Sequence, residues 1–366
     1  MKEPMISIFW LNYNSSSFID IALESLEGVL NLDYSNKELI IIDNCSTDGS
    51  FQVISDFTEK RMSTINVRVI RLRKNLGFTG GINEAYRARN PQSKYVVFLT
   101  NDSIPYAHSL KKLIEFMERN VSCGSVEGIC LTYDGKNVED AGNFISEIFT
   151  GHMLTCLSKP RYITFAYGGY SVHRVSSIKR AVGKDDAIFD DYMFAYYDDN
   201  VLGLKMWNTG SKVIAIPVIT VRHKGSSSFG RIRATQAYLD ARAAATLNEI
   251  CNSRYKKLIK PLLFFFCIRT MLESSVFAPR QNMRDLSAAL LKGFSDGVRI
   301  GREKRRFGET INMYNAPIVR LSLPVIVGLI PGIRLSKRVM TKINQNILDS
   351  LNENNRLIFR GSQATI

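Results

Sequence analysis

Two adjacent carboxylates stand among aromatic residues in Phe194-Ala195-Tyr196-Tyr197-Asp198-Asp199-Asn200. Such a pair is costly to ionise unless hydrogen bonds, a cation or a substrate compensate, and a member raised in pKa can serve as a general base. The same run also reads as a solvated acidic start of a helix. Asp102, in Leu99-Thr100-Asn101-Asp102-Ser103, follows an apolar run. A carboxylate just beyond a strand can hold Mg²⁺ or Mn²⁺, with substrate phosphates completing the oxygen shell; an Asn-Asp pair can also simply make a turn. His223 lies in Val221-Arg222-His223-Lys224-Gly225. A neutral imidazole ligates metals, and Arg222 and Lys224 suit phosphate oxygens. The four histidines, at 108, 152, 173 and 223, are too few and too scattered for a histidine-rich cage. Asp43 opens Asp43-Asn44-Cys45-Ser46-Thr47-Asp48-Gly49-Ser50, whose acceptors and backbone N–H groups can read a base or ribose, or can cap a helix. Asn75-Leu76-Gly77-Phe78-Thr79-Gly80-Gly81-Ile82-Asn83 is a glycine-rich turn that permits close backbone approach. It fits neither the P-loop pattern nor G-x-G-x-x-G.

These residues need elements to hold them. Residues 5–11, 38–43, 66–72 and 95–99 read as strands, and 15–30, 47–59, 80–88 and 108–119 have helical spacing. This alternation predicts an α/β domain of βαβ units on a mostly parallel sheet. Ligands of such sheets bind beyond the carboxyl ends of the strands, where Asp43 and Asp102 fall. From 123 to 165 the pattern weakens. Strands are expected again at 171–175, 212–216 and 219–223, the last two separated by Pro217. A short helix is expected at 177–182 and a helical stretch within 190–210; beyond 235 the chain reads mainly helical, at 235–251, 258–277 and 283–300.

The 366 residues are 45% hydrophobic and 22% charged, which excludes disorder as the main state and suggests two regions. The net charge of +14 is unevenly placed. Residues 1–230 hold 25 cationic and 25 acidic side chains, whereas 231–366 hold 23 and 9. The chain is therefore divided into 1–235 and a basic, mainly helical 236–366. Six cysteines without a C-x-x-C pair indicate neither a disulfide scaffold nor a zinc ribbon, and they suit a reducing compartment. Met5–Leu11 is too short for a signal-peptide core, and no apolar run reaches the roughly 18 residues of a spanning helix. In the basic region, Pro261–Ile268 and Leu321–Ile333 are short apolar runs framed by Lys and Arg. Each suits a helix lying on an anionic membrane surface, or a buried core helix. Nucleic acid is not an expected partner, because the first 230 residues are neutral and the tail lacks a recognisable binding motif.

The order and spacing of the motifs are together specific. Over residues 5–235 the chain resembles the inverting family 2 glycosyltransferases with the GT-A fold, in particular their rhamnosyltransferase-like branch. The resemblance runs through Leu11-Asn12-Tyr13-Asn14, Ile41–Ser50, Asn75–Asn83, Leu99–Asp102, Gly168-Gly169, Phe189-Asp190-Asp191, Tyr197-Asp198-Asp199 and His223–Ser226. It implies a GT-A nucleotide-diphospho-sugar transferase fold, a Rossmann-like mostly parallel sheet, followed by the basic helical region. It implies that Asp199 is the general base with Asp198 beside it, and that Asp102 and His223 hold Mg²⁺ or Mn²⁺ on the diphosphate. Asp43 would contact the nucleotide base, with Asn12 and Tyr13 lining the same pocket. Asn75, Gly77, Asn83, Asn101, Arg222 and Lys224 are placed with the substrate-binding residues. The implied activity moves a sugar from a UDP, dTDP or GDP donor to a hydroxyl of a glycan or lipid-linked acceptor. The implied location is cytoplasmic, with the basic region on the membrane face or in a homo-oligomer contact. The alternative is a non-catalytic nucleotide-sugar binder with a degenerate metal site. Three positions depart from the family pattern: Thr100 stands where the D-x-D motif has its first ligand, Asp198 replaces Glu, and Asn200-Val201-Leu202 lacks a further carboxylate.

Overall fold

The computed structural model describes residues 3–61, 65–190, 192–225, 233–261, 264, 281–323 and 326. The chain divides into two compact units, 1–143 with 153–231, and 144–152 with 232–366. The expected single boundary at 235 thus gains an excursion, since 144–152 leaves the first unit and joins the second.

In the first unit the elements run β1 (Ile6–Asn12), α1 (Ile19–Leu30), β2 (Lys37–Asp43), α2 (Ser50–Arg61), β3 (Asn66–Arg71), α3 (Gly77–Ala88), β4 (Tyr95–Thr100), β5 (Ser103–Pro105), α4 (Ser109–Arg119), β6 (Cys123–Thr132) and β7 (Val138–Asp140). After β8 (Asn143–Ile145) and β9 (Gly151–Met153), which pair with each other, come β10 (Arg161–Tyr162), β11 (Tyr170–Arg174), α5 (Val175–Val182), α6 (Asp198–Asn208) and β12 (Lys212–His223). The large sheet has the order β10-β12-β6-β11-β4-β1-β2-β3, with β5 on β12 and β7 on β6. β3, β2, β1 and β4 are mutually parallel. β11 runs antiparallel to both β4 and β6, so beyond β4 the sheet is mixed.

β1, β2 and β4 read as near-continuous apolar runs because both faces are covered. Ile8, Trp10, Leu39, Ile41, Val97 and Leu99 share one core with Leu26 and Val29 of α1 and Leu113 and Met117 of α4. On the other face Phe9 meets Tyr86 of α3 edge-on and stacks against Phe98. β12 is one strand rather than two. Pro217, which has no N–H to donate, is absorbed by a register shift between Ala215 and Ile219.

In the second unit α7 (Arg233–Ile250) packs along α8 (Gln281–Arg306). Tyr238 Oη donates to Asp296 at 2.9 Å. Glu147 is fully buried and accepts from Arg254 Nη2 at 2.8 Å, Leu321 N at 2.9 Å and Tyr314 Oη at 3.0 Å. Three donors, one of them cationic, compensate a carboxylate that would otherwise be too costly to bury. Among the described residues no helix is long and apolar enough to cross a membrane. Most of Pro261–Ile268 and of Leu321–Ile333 lies outside the described residues, as do 265–277.

Candidate functional site

Register places the polar ends of the parallel strands side by side: Asn12 is opposite Asp43, and Leu11 is opposite Thr100. Asn12 is completely buried and acts as a hub. Its Nδ2 donates to Asp43 Oδ1 at 2.9 Å and Ser46 Oγ at 3.2 Å, while its Oδ1 accepts from Ser15 Oγ at 2.6 Å and Asn101 Nδ2 at 3.0 Å. Asp43 also accepts from Ser46 N at 3.0 Å and lies 3.6 Å from Arg71 Nε. At 1% exposure, its charge is compensated within the protein. The expected base-reading cluster is therefore assembled as a buried network under the Cys45–Ser50 turn, with Tyr13 half-buried at its edge. Asn101 points into this network.

The glycine-rich turn is tied to the same network and to the acidic pair. Asn44 Nδ2 donates to Gly77 O and its Oδ1 accepts from Leu76 N, both at 2.8 Å. Asn75 Oδ1 accepts from Gly77 N at 2.8 Å. Asn83 is buried: its Nδ2 donates to Phe189 O at 2.9 Å, and its Oδ1 accepts from Ile188 N and Phe189 N at 2.9 and 3.0 Å. These bonds occupy its amide, so Asn83 holds the segment before the acidic pair instead of presenting a group to a donor. Thr79 N donates to Phe194 O at 3.1 Å. Gly77 has φ +70°, and a Cβ on it would lie 2.2 Å from Phe194 O. Gly77→Ala is expected to lose on the order of 2–4 kcal/mol in denaturant unfolding, from the left-handed backbone and the backbone clash together. An unchanged unfolding midpoint would contradict the close approach.

Phe194, Tyr196 and Tyr197 all have positive φ, at 61°, 68° and 61°. Three aromatic residues in the left-handed region within four positions mark a strained turn. It delivers Asp198 and Asp199 to the first turn of α6. Asp199 Oδ1 accepts from Asn200 N at 2.7 Å and Asn200 Nδ2 at 2.8 Å, and Gly168 packs beside this carboxylate, where a Cβ would lie 4.0 Å from Oδ2. Burial raises both carboxyls above the ordinary range; Asp199 adds repulsion on Asp198, and Asp140 adds it on Asp199.

Asp102 and His223 are brought together by β5, whose Ser103 is opposite His223 in β12. Asp102 Oδ2 lies 3.5 Å from His223 Nε2. Burial pushes the Asp102 carboxyl up, but hydrogen bonding and charge from His223 hold it below its usual value. Burial lowers His223, and the Asp102 and Glu139 carboxylates outweigh this to bring it to about 9. The Thr100 hydroxyl is bonded to Ser103 Oγ at 2.9 Å. Tyr167 Oη is 3.0 Å from His223 Nε2. A Cβ on Gly169 would lie 2.1 Å from the Tyr167 ring, so glycine there lets the ring fold back over the imidazole.

Three carboxylates that sequence reasoning missed surround this corner. Glu139 Oε1 is 3.0 Å from His223 Nδ1. Glu127, in the middle of β6, accepts from Tyr167 N and, at 3.3 Å, from Asn143 Nδ2. The same Asn143 amide donates to Asp140 Oδ2 at 2.6 Å. Burial and then Asp140 push Glu127 well above the ordinary carboxylate range. No motif or spacing marked these residues; the one available signal was a lone Glu inside an otherwise small and apolar run.

Arg222 does not join the site. Strand alternation turns it away from His223, and its Nη2 is bonded to Glu24 Oε1 at 2.6 Å. Lys224 Nζ lies 5.4 Å from the Tyr133 ring centroid, in that same neighbourhood. Phosphate contact by either would require these side chains to move. Residues 226–232, including Ser226 and Arg231, lie outside the described residues.

A mixed α/β sheet thus carries a carboxylate–imidazole corner at one strand end and a buried acid pair beside it. Comparison with known proteins identifies the class. Residues 7–181 match the model of Glycosyl transferase family 2, and this segment is a family 2 glycosyltransferase domain. The chain is 30% identical over 129 residues to the putative teichuronic acid biosynthesis glycosyltransferase TuaG of Bacillus subtilis, a match covering 35% of this chain and 48% of TuaG. The chain thus spans about half the length of that relative. Among solved structures, S. aureus TarS 1-349 superposes with a TM-score of 0.53 at 16% identity, covering 99% of this chain and 93% of that one. GalNAc-T7 with UDP, GalNAc and Mn²⁺ gives 0.56 at 11% identity, covering 84% and 58%. At these identities the two structures establish the fold alone.

Proposed function

We propose that this chain is an inverting glycosyltransferase that moves a sugar from a nucleoside-diphosphate donor to a hydroxyl of a glycan or lipid-linked acceptor. One observation carries the reading. Tyr167 and Gly168 are consecutive, and they lie against the two halves of the chemistry: Tyr167 Oη is 3.0 Å from His223 Nε2, and Gly168 faces Asp199, whose Oδ2 would be 4.0 Å from a Cβ placed on that glycine. The base and the carboxylate–imidazole corner therefore face one small volume.

In the reaction, Asp199 takes the proton of the acceptor hydroxyl. The oxygen bonds to the anomeric carbon as the bond to the diphosphate oxygen breaks, and the electron pair leaves with the nucleoside diphosphate. One displacement through an oxocarbenium-like transition state inverts the anomeric centre. Asp102 and His223 offer one carboxylate oxygen and one imidazole nitrogen, which fits a cation whose other ligands are diphosphate and water. Bound there, Mg²⁺ or Mn²⁺ would supply positive charge against the leaving diphosphate. The Mn²⁺ in the GalNAc-T7 structure supports this reading. The buried Asn12–Asp43 network shapes the floor on which the nucleotide rests.

The name of TuaG supports an acceptor in cell-envelope polysaccharide synthesis. The cationic excess of residues 231–366 suits an anionic membrane surface at the cytoplasmic face, or a homo-oligomer contact. Incubation with a panel of UDP, dTDP and GDP sugars, with and without Mn²⁺ or Mg²⁺, tests the proposal by release of nucleoside diphosphate. Metal-dependent release from one donor is the expected result. Silence across the panel, with lipid-linked and glycan acceptors present, would favour the non-catalytic binder.

A further inference from the structure

Cys130, Glu139 and His223 make a second set of ligand atoms, on the opposite edge of the imidazole from Asp102. The Cys130 thiol sulfur, a Glu139 carboxylate oxygen and a His223 ring nitrogen all lie within 4.8 Å of one another. Glu139 Oε1 approaches Nδ1, whereas Asp102 faces Nε2. We propose that these three side chains bind a thiophilic divalent cation of the Zn²⁺ class through Nδ1 of His223, at a site distinct from the oxygen-rich corner at Asp102.

The donor set selects the ion. One thiolate, one imidazole and one carboxylate form the N/S/O trio that Zn²⁺ accepts with a fourth position open, while sulfur disfavours Mg²⁺. The three residues come from adjacent strands. In β6, Cys130 is opposite both Val221 of β12 and Asp140 of β7, which places His223 and Glu139 at its flanks. Ligands on paired strands are held in place before the ion arrives. Cys130 is 3% exposed, and the Glu139 side chain, at 34%, provides the route in. As the sulfur–metal bond forms, the thiol proton leaves to solvent.

The two edges of one ring cannot serve both ions at once. With Nδ1 ligated, a neutral imidazole carries its proton on Nε2, facing Asp102 Oδ2 at 3.5 Å. Asp102 then becomes the carboxylate that orients a metal-bound histidine, a common arrangement around such ions. His223 is no longer available as a ligand beside Asp102, so the soft cation opposes the hard one. Binding at this site does not depend on the transferase reading, because the metal itself is what is measured.

The test titrates the metal-free full chain with Cd²⁺ and follows the ultraviolet charge-transfer band of a cadmium–thiolate bond. The wild-type band is expected to be lost in Cys130→Ser and, at saturating Cd²⁺, kept in Asp102→Ala. Glu139→Ala should weaken Cd²⁺ binding by roughly tenfold or more. Cys45, a partly exposed thiol, and Cys156, an exposed one, contribute to wild type and variant alike and cancel in the difference. An undiminished band in Cys130→Ser overturns the site, as does a wild-type chain with no band. If Cys130→Ser fails to fold, His223→Ala carries the same test: loss of the band supports the site, and a wild-type titration overturns it.

Discussion

Asp199→Asn is expected to lower sugar transfer by roughly 10²- to 10⁴-fold, the usual contribution of a positioned general base, while donor binding stays near the wild-type level. The amide is isosteric, and its oxygen can still accept from Asn200 N, so the first turn of α6 keeps its geometry. What is lost is the ability to take the acceptor proton. The pH profile of the wild type carries the same information. Burial raises Asp199 above the ordinary carboxylate range, and a base must be deprotonated to act. Transfer should therefore rise with pH through a value higher than that of a free aspartate, and this limb should vanish in the variant. Near-normal turnover of Asp199→Asn would remove the residue from the mechanism. Unchanged donor binding by calorimetry, together with lost transfer, would separate a missing base from a collapsed site.

The parallel half of the sheet was legible because its strands are buried on both faces and its helices keep a regular period. The runs 38–43 and 95–99 lie within β2 and β4 with at most a residue missing at each end. β6 escaped notice although it has ten residues, because Gly124, Ser125, Glu127 and Gly128 break its apolar character. Its burial comes from neighbours far along the chain, β11 and β12, which local pattern does not report. The site divides in the same way. Asp102, His223 and Asp199 stood out by motif, and the fold places all three around Tyr167-Gly168. Glu127, Glu139 and Asp140 lie where periodicity is weak, and their proximity to those groups follows from pairing β6 with β7 and β12. Asn83 shows the converse. Its spacing marked it as significant, but only the fold reveals that its partners are the backbone of Ile188 and Phe189.

Asp102→Ala should lower metal-dependent nucleoside-diphosphate release by about 10²- to 10³-fold, the typical loss when a preorganised electrostatic group is removed. Chelation of the wild type should produce the same residual rate; added Mn²⁺ should restore the wild type and leave the variant low. The departure at Thr100 does not weaken this expectation, because the Asp102 carboxylate and its approach to His223 at 3.5 Å are in place without it. A pH signature follows from His223. With Asp102 and Glu139 beside it, the imidazole keeps its proton up to about 9, so a cation entering at neutral pH must displace that proton. Apparent metal affinity should therefore climb as pH rises toward 9 and level off above it. Removing Asp102 takes away one of the two carboxylates that hold the proton, so the climb should shift to lower pH even as affinity falls. Release that is independent of metal, or an affinity flat with pH, would show that the Asp102–His223 corner is not where the diphosphate charge is met.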